Sequence, residues 1–327
     1  MTRIRGGPGL WILASAFAFA SMGALTHAAG TRCHWLVIAT SRVSLMFVWA
    51  IVAARLAGAR TPIFHPKTLW IRSLAGCFSL VCNFYALTRL PVADAISLTN
   101  SHPIWIIALS AIVLRRPLRL SEIACVASGI AGVFLIQRPH FAEADFATLT
   151  ALLSSLSTAV AMLGLNKLKA IDPRAIVAHF AGTATIVSVI LLSLNNNVLT
   201  WSLFNSETIA LLVGVAVSGT FGQFFLTKAY AAGSPTRVSV IGLSQVVFAI
   251  GFDLMFWNRS LSVVTLAGFA LVIAPSAWLL GRSAYDRESH ESTNELRIDS
   301  TSRSTLEDSV TSAREARPKP SNPATRT

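Results

Sequence analysis

Ten apolar stretches follow one another through residues 10–280 of this 327-residue chain. A helix needs about 20 apolar residues to cross the hydrocarbon core of a bilayer, and most of the stretches have that length. The connections between them are too short to hold a soluble domain. The sequence therefore predicts an all-α polytopic membrane protein with ten transmembrane helices: Leu10–Ala28, Trp35–Ala54, Thr68–Leu87, Val92–Leu114, Glu122–Ile136, Phe146–Leu165, Ala175–Leu194, Glu207–Lys228, Pro235–Trp257 and Ser262–Leu280.

The composition excludes the main soluble classes. Only 13% of the residues are charged, whereas a soluble domain has about 25%. This deficit argues against a soluble enzyme, a disordered protein and a coiled coil. The net charge of +12 is explained by the basic loops of a membrane protein. We therefore predict that the chain contacts the lipid bilayer and does not bind nucleic acid.

The distribution of the basic residues gives an orientation. If residues 1–9 form a cytoplasmic N-terminus, the segments on that side carry fourteen Lys and Arg, Arg72 included, against four on the opposite side. This bias predicts a multi-pass protein of the inner or plasma membrane with both termini cytoplasmic. Residues 282–327, rich in Ser, Thr, Arg and Glu, are predicted to be a disordered cytoplasmic tail.

The two halves of the chain form a weak repeat. A shift of 143 residues superimposes Val92–Ile136 on Pro235–Leu279, with identical residues at four closely spaced positions after each basic turn. Each repeat has five spans, so the second must cross the membrane in the opposite sense. We therefore predict inverted five-helix repeats over 10–138 and 146–281, a plan that recurs in secondary transporters.

Short motifs at the expected spacing add a family resemblance over residues 9–281. They are Ser41-Arg42, Leu90–Ala95, Ser101–Ile104, Gly233–Val238 and Leu266–Gly268. In these the chain resembles the EamA-like members of the drug/metabolite transporter superfamily. It departs from them at Arg116 and Arg259, where the family usually has glutamate. The resemblance implies transport of a small-molecule metabolite, mostly export, without choosing the substrate.

Arg42 is the leading candidate for a binding residue. It lies about 12 Å into its span at a rise of about 1.5 Å per residue, which is too deep to reach the surface easily. An ionisable group at such a depth is a functional hypothesis by default. Asp94, nearer the outer end of the fourth span, is the predicted partner in an Arg42–Asp94 gate or proton site. Arg237 occupies the repeat position of Asp94 and is expected to meet inner headgroups or to guard the inner mouth.

The fourth span also carries a polar face, which Pro103 interrupts. Proline leaves a carbonyl without its helical donor one turn earlier, near Thr99, and a kinked polar segment at mid-membrane is typical of a binding site. Gln245 is the repeat equivalent of His102. The predicted substrate-binding residues are Arg42, Asn83, Ser97, Asn100, Ser101, His102, Trp105 and Gln245.

No P-loop, dinucleotide fingerprint, catalytic motif or metal-ligand cluster is present in the sequence. We therefore predict no cofactor, no metal and no enzymatic activity. The cationic lining favours an anionic or zwitterionic substrate. Proton-coupled exchange through Asp94 or His102 and uncoupled export both remain open, and the alternative to transport is a membrane-embedded enzyme or sensor. The sequence makes no prediction of a homo-oligomer.

Overall fold

The computed structural model describes residues 7–59, 64, 66–89, 98–113, 119–137, 146–195, 205–257 and 262–279. All regular structure in these ranges is helical, which confirms the all-α class. Asp94, Ser97 and the tail 282–327 lie outside them. The helices, numbered in chain order, are α1 (Pro8–Gly30), α2 (Trp35–Leu56), α3 (Lys67–Arg89), α4 (His102–Val113), α5 (Leu120–Gln137), α6 (Phe146–Lys167), α7 (Pro173–Ser193), α8 (Ser206–Ala232), α9 (Pro235–Gly242), α10 (Ser244–Trp257) and α11 (Val263–Leu279).

Six of these segments are long and apolar enough to cross a membrane, counting α9 and α10 together as one of them. The α4, α5 and α11 helices are apolar but shorter within the described ranges. Each predicted span thus has a helical counterpart. The main difference is that the predicted ninth span is divided between α9 and α10.

Proline and Asx residues begin several helices. Pro8, Pro173 and Pro235 each occupy the first helical turn of their helix, where a backbone N–H is not needed. Asp172 caps α7 by accepting a 2.7 Å hydrogen bond from the N–H of Arg174. These local signals set the points at which the chain re-enters the helical bundle.

Helices α1 and α8 pack against each other in antiparallel fashion. The Ser15 hydroxyl donates to the carbonyl of Gly222 at 2.8 Å, and farther along α1 the Leu25 side chain lies against Gly214. The positions along α8 decrease while those along α1 increase, so the two chain directions are opposite. The repeat equivalents of α8 and α1 are α3 and α6, and these two helices also pack against each other.

Helices that are each other's repeat equivalents are also antiparallel. In the α5–α11 pair, Ser128 donates to the carbonyl of Leu271 at 3.0 Å, and Gly132 lies one turn later against Gly268. The α2–α7 pair is likewise in extensive contact. In the repeat, α1 corresponds to α6 and α3 to α8, so the α1–α8 and α3–α6 pairs are equivalent. Equivalent helices that run in opposite directions and form equivalent pairs are related by a two-fold axis lying across the bundle. The repeats are therefore inverted.

The chain breaks at equivalent points in the two repeats. In the first, a turn at Asn100 and Ser101 precedes α4, and in the second, a turn at Leu243 separates α9 from α10. Both turns have a backbone hydrogen bond between residues three apart in sequence. The Ser101 N–H donates to the Leu98 carbonyl, and the Leu243 N–H donates to the Val240 carbonyl. Both breaks face the middle of the bundle, where backbone groups outside a helix need a polar surrounding.

Candidate substrate site

A cavity of about 270 Å³ lies among the helices of both halves. We call it the central cavity. Its lining comes from α1, α2, α3, α4, α6, α7, α8, α9 and α10, and from the turn that precedes α4. A cavity at the interface of inverted repeats, beside two interrupted helices, is the usual position of a transporter's binding site.

Five of the eight predicted binding residues line this cavity. They come from four different segments of the chain: Arg42, Asn83, Asn100, His102 and Gln245. The repeat therefore brings His102 and Gln245 to one chamber, as the sequence predicted from their equivalent positions. Whether these side chains bind substrate is still a prediction.

Two further predicted residues have structural contacts instead. Ser101 is buried and bonds to the Leu98 carbonyl at 2.5 Å and to the Ser155 hydroxyl at 2.9 Å. It thus ties the turn before α4 to α6. Trp105 packs against the hydrophobic core and is not in the described lining. The polar face expected of this span is therefore divided, since Asn100 and His102 line the cavity whereas Ser101 and Trp105 do not, and Ser97 lies outside the described residues.

The guanidinium of Arg42 reaches the cavity over a glycine. A Cβ atom at Gly219 would lie 3.0 Å from Arg42 Nε, so the absence of a side chain there makes room for the arginine. The Phe19 ring lies 5.9 Å from the guanidinium carbon. Arg42 Nε is buried and has no hydrogen-bond partner among the described residues.

Arg72 is a lining residue that the sequence did not reveal. Its charge was counted with the cytoplasmic segments although the predicted span Thr68–Leu87 contains it, and the structure places it in α3 with the residue 1% exposed and facing the cavity. The guanidinium carbon lies 4.3 Å from the centre of the Phe180 ring. Gly76 and Gly164 make room for it, because a Cβ at either would lie within 3.1 Å of an Arg72 atom.

The two arginine environments are related through the repeat. Gly76 and Gly219 are 143 residues apart, the offset that relates the halves. Gly76 lies against Phe180 of α7 and Arg72 of its own helix, whereas Gly219 lies against Arg42 of α2. From α7 and α2, which are themselves equivalent, the two glycines thus meet an aromatic side chain in one half and a cation in the other, so the scaffold is symmetric but its lining is not.

His102 satisfies the carbonyl that Pro103 leaves without its helical donor. Its Nδ1 atom lies 3.2 Å from the Thr99 carbonyl oxygen. Since a carbonyl oxygen only accepts, Nδ1 carries the proton in this arrangement, and in the neutral ring Nε2 is left as an acceptor. The sequence predicted that Pro103 leaves this carbonyl without a helical donor, and the His102 ring supplies the hydrogen bond instead.

Other polar lining groups come from α3, α6 and α8. The Ser79 hydroxyl lies 2.6 Å from that of Thr158 and 3.1 Å from that of Ser154. Gln223 is 6% exposed, and its Nε2 atom has no hydrogen-bond partner among the described residues. Gln223 was not predicted, because one glutamine in a long apolar helix gives no indication of the direction it faces.

Arg237 lies away from the central cavity, at the start of α9. Its Nε atom is 3.7 Å from a carboxylate oxygen of Glu122 on α5, with the two side chains 19% and 5% exposed. Arg237 thus has an ion-pair partner within the protein, and its predicted place at the inner headgroups or the inner mouth stays a prediction. The described residues hold no group of three metal-ligating side chains.

Comparison with known proteins agrees with this architecture. The sequence profile of the EamA-like transporter family matches residues 8–138 and, a second time, residues 145–281. The chain belongs to the EamA-like transporter family. A solved crystal structure that is 17% identical superimposes with a TM-score of 0.70, over 83% of this chain and 98% of its own, and shows the fold alone.

Similar proteins with names are transporters. This EamA-like protein is 28% identical to the pseudopaline exporter CntI of Pseudomonas aeruginosa strain UCBPP-PA14, over 83% of this chain and 94% of the relative. It is 27% identical to human solute carrier family 35 member G1, over 85% and 80% of the two chains. The protein is therefore a multi-pass membrane transporter, and the lipid bilayer and a small molecule are its partners.

Proposed function

We propose that this transporter is a secondary exporter of small organic metabolites that works by alternating access around the central cavity. The observation that carries the proposal is a polar chamber enclosed by both inverted repeats, at which both interrupted helices meet. Rocking of one repeat against the other opens such a chamber to each side in turn. The basic loops put both termini in the cytoplasm and the protein in the cell membrane.

The charge of the lining favours an anionic or zwitterionic substrate. Arg42 supplies a buried guanidinium whose Nε lacks an acceptor among the described residues, and no Asp or Glu lies in the described lining. Burying an unpaired charge costs free energy, so a bound anion would stabilise it. Asn83, Asn100 and Gln245 add amide groups that orient the substrate by hydrogen bonds.

The Glu122–Arg237 ion pair is proposed as part of the gate on the cytoplasmic side. It joins α5 of the first repeat to α9 of the second and is largely buried, so movement of the repeats apart at this end has to break it. Asp94, at the repeat position of Arg237, is proposed to serve the opposite gate. Protonation of Asp94 or His102 would couple export to the proton gradient, and flux that follows an imposed pH gradient would demonstrate this coupling.

Metabolite profiling of cells and spent medium tests the proposal. We would compare wild type, Arg42→Ala, Arg55→Ala and empty vector at equal membrane expression, with Arg55 as an exposed arginine on the same helix. We expect one class of anionic or zwitterionic compound to leave the cells with wild type and Arg55→Ala, and at least tenfold less with Arg42→Ala. Equal export by wild type and Arg42→Ala would show that Arg42 is not part of the site. Export of a cationic compound as the main substrate would contradict the anionic or zwitterionic charge proposed for the substrate.

A further inference from the structure

Two guanidiniums line one cavity, that of the buried Arg72 and that of the half-buried Arg42, and they enter it from different depths. We infer that the substrate of the proposed transporter carries two carboxylate groups, one held by Arg42 and the other by Arg72. The inference rests on the proposed function for the presence of a substrate, but it concerns the number of anionic groups. The arginine fork matches the geometry of a carboxylate better than an ammonium does.

Donor groups of three lining residues have no acceptor among the described residues. Arg72 Nε and Nη1, Arg42 Nε and Gln223 Nε2 are all buried without a hydrogen-bond partner among the described residues. All four atoms belong to groups that donate. A buried donor without an acceptor costs free energy comparable to a lost hydrogen bond. An occupant rich in acceptor oxygens is what this surrounding stabilises.

The ring of Phe180 does not supply the missing acceptors. It lies 4.3 Å from the Arg72 guanidinium carbon, which allows an attraction between the cation and the face of the ring. The N–H groups of a guanidinium lie in its own plane, so contact through the ring face leaves their hydrogen-bonding capacity unused. The ring therefore orients Arg72, and its Nε and Nη1 atoms stay without an acceptor among the described residues.

The backbone around Arg72 is shaped to admit it. Within α3 a Cβ at Gly76 would be 2.9 Å from Arg72 Nη1, and on the neighbouring α6 a Cβ at Gly164 would be 3.1 Å from Arg72 Cβ. Glycine at both positions keeps the side chain within the bundle. An arginine whose only role was to attract the membrane surface would need no such space, since its long side chain can reach the headgroups.

The positions of the two arginines set the size of the occupant. Arg42 lies about 12 Å from one end of its helix and Arg72 about 8 Å from the opposite end of the bundle, at about 1.5 Å per residue. In a hydrocarbon core of about 30 Å, their backbones are then roughly 10 Å apart in depth. Both side chains extend toward the same chamber of about 270 Å³, so a short chain between two carboxylates suffices to bridge them.

Binding of matched probes to the purified full-length protein tests the inference. The probes are succinate, glutarate and adipate, each compared with its mono-amide, which has nearly the same shape and one carboxylate fewer. We expect wild type and Arg55→Gln to bind at least one diacid about tenfold more tightly than its mono-amide. In Arg72→Gln the diacid should bind no better than the mono-amide, whose own affinity should change by less than about twofold, and Arg72→Lys should recover part of the preference.

Equal preference for the diacid in wild type and Arg72→Gln would overturn the inference, as would a wild type that binds none of the six probes or does not distinguish the pairs. Size-exclusion profiles and melting temperatures of all variants show whether Arg72→Gln is folded, and Arg72→Lys serves as the readout if it is not.

The export assay separates the two proposals. Wild-type cells that export a compound while the purified protein shows no diacid preference leave the transporter intact and remove the second anion site, whereas wild-type cells that export nothing contradict the transporter itself.

Discussion

At the scale of single residues, the cavity depends on which positions lack a side chain. Gly76, Gly164 and Gly219 are the points at which two arginine side chains cross the packed surfaces of α3, α6 and α8. In membrane helices small residues usually allow close helix contact. Here they also allow a charged side chain to run between helices.

Substitution of Gly76 by alanine should therefore disturb the site more than its size suggests. The new Cβ would lie 2.8 Å from a Phe180 ring atom and 2.9 Å from Arg72 Nη1, so ring and guanidinium must both move. Overpacking of this kind costs about 1–3 kcal/mol, and we expect a lower melting temperature together with weaker diacid binding. Gly23→Ala is the matched control, since a Cβ there has no neighbour within 4 Å. Equal behaviour of the two variants would contradict the proposed packing.

The residues that sequence analysis found and missed differ in one physical respect. Arg42, His102 and Gln245 lie well inside their spans and Asn83 lies late in its span, and a polar group is conspicuous at each of these positions. Arg72 lies about one turn inside α3, where a basic residue ordinarily reaches the headgroups. Only the packing of α3 on α6 and α7 shows that it faces inward, and this packing cannot be read from depth along the chain.

At the scale of elements, the interrupted helices are the features nearest the cavity. The break before α4 contains Asn100 and is followed at once by His102, while the break before α10 is followed by Gln245. The polar run and Pro103 made the first break predictable. The second has no proline at the break, and only the repeat indicates it.

Replacing Pro103 with alanine should stiffen the first break. The new N–H could donate to the Thr99 carbonyl, in competition with the His102 ring that contacts it at 3.2 Å. One such bond contributes about 0.5–1.5 kcal/mol, so we expect unchanged or greater thermal stability with a slower transport rate. The measurement is the melting temperature beside initial export rates at saturating substrate. A transport rate equal to that of wild type would show that this break does not move during the cycle.

At the scale of the whole molecule, an ion pair between the repeats biases the bundle toward one arrangement. Glu122 and Arg237 join α5 to α9, and breaking a buried pair by removing one partner costs more than the pair itself contributes. In Glu122→Gln we therefore expect the cavity to open more often toward the cytoplasm. A cysteine at Ser15, which lines the cavity, should then react faster with an impermeant maleimide in inside-out vesicles, in a background without the four native cysteines.

The exchanged pair Glu122→Arg with Arg237→Glu is the control for this prediction. It keeps one charge of each sign at the same two positions, so labelling should return toward the wild-type rate. Labelling that is equally fast in the exchanged pair and in Glu122→Gln would mean that the attraction between the charges does not hold the repeats together.

The overall plan was predictable from the sequence because it follows from counting. Five spans per repeat force inversion, and the antiparallel α5–α11 contact between Ser128 and Leu271 agrees with it. The choice of neighbours was not predictable. Nothing in the sequence indicates that α1 packs on α8, because residues such as Ser15 and Gly222 that meet there occur throughout the chain.

The unequal lining of an otherwise symmetric scaffold has a kinetic consequence. With Arg42 in one half where the other half has Phe180 against the equivalent glycine, the outward-facing and inward-facing forms hold the same cargo with unequal strength. A carrier that uses no other energy source must still have the same ratio of maximal rate to half-saturation concentration in both directions. The protein would thus be a high-affinity, slow carrier from one face of the membrane and a low-affinity, fast carrier from the other, even though neither direction is favoured at equilibrium.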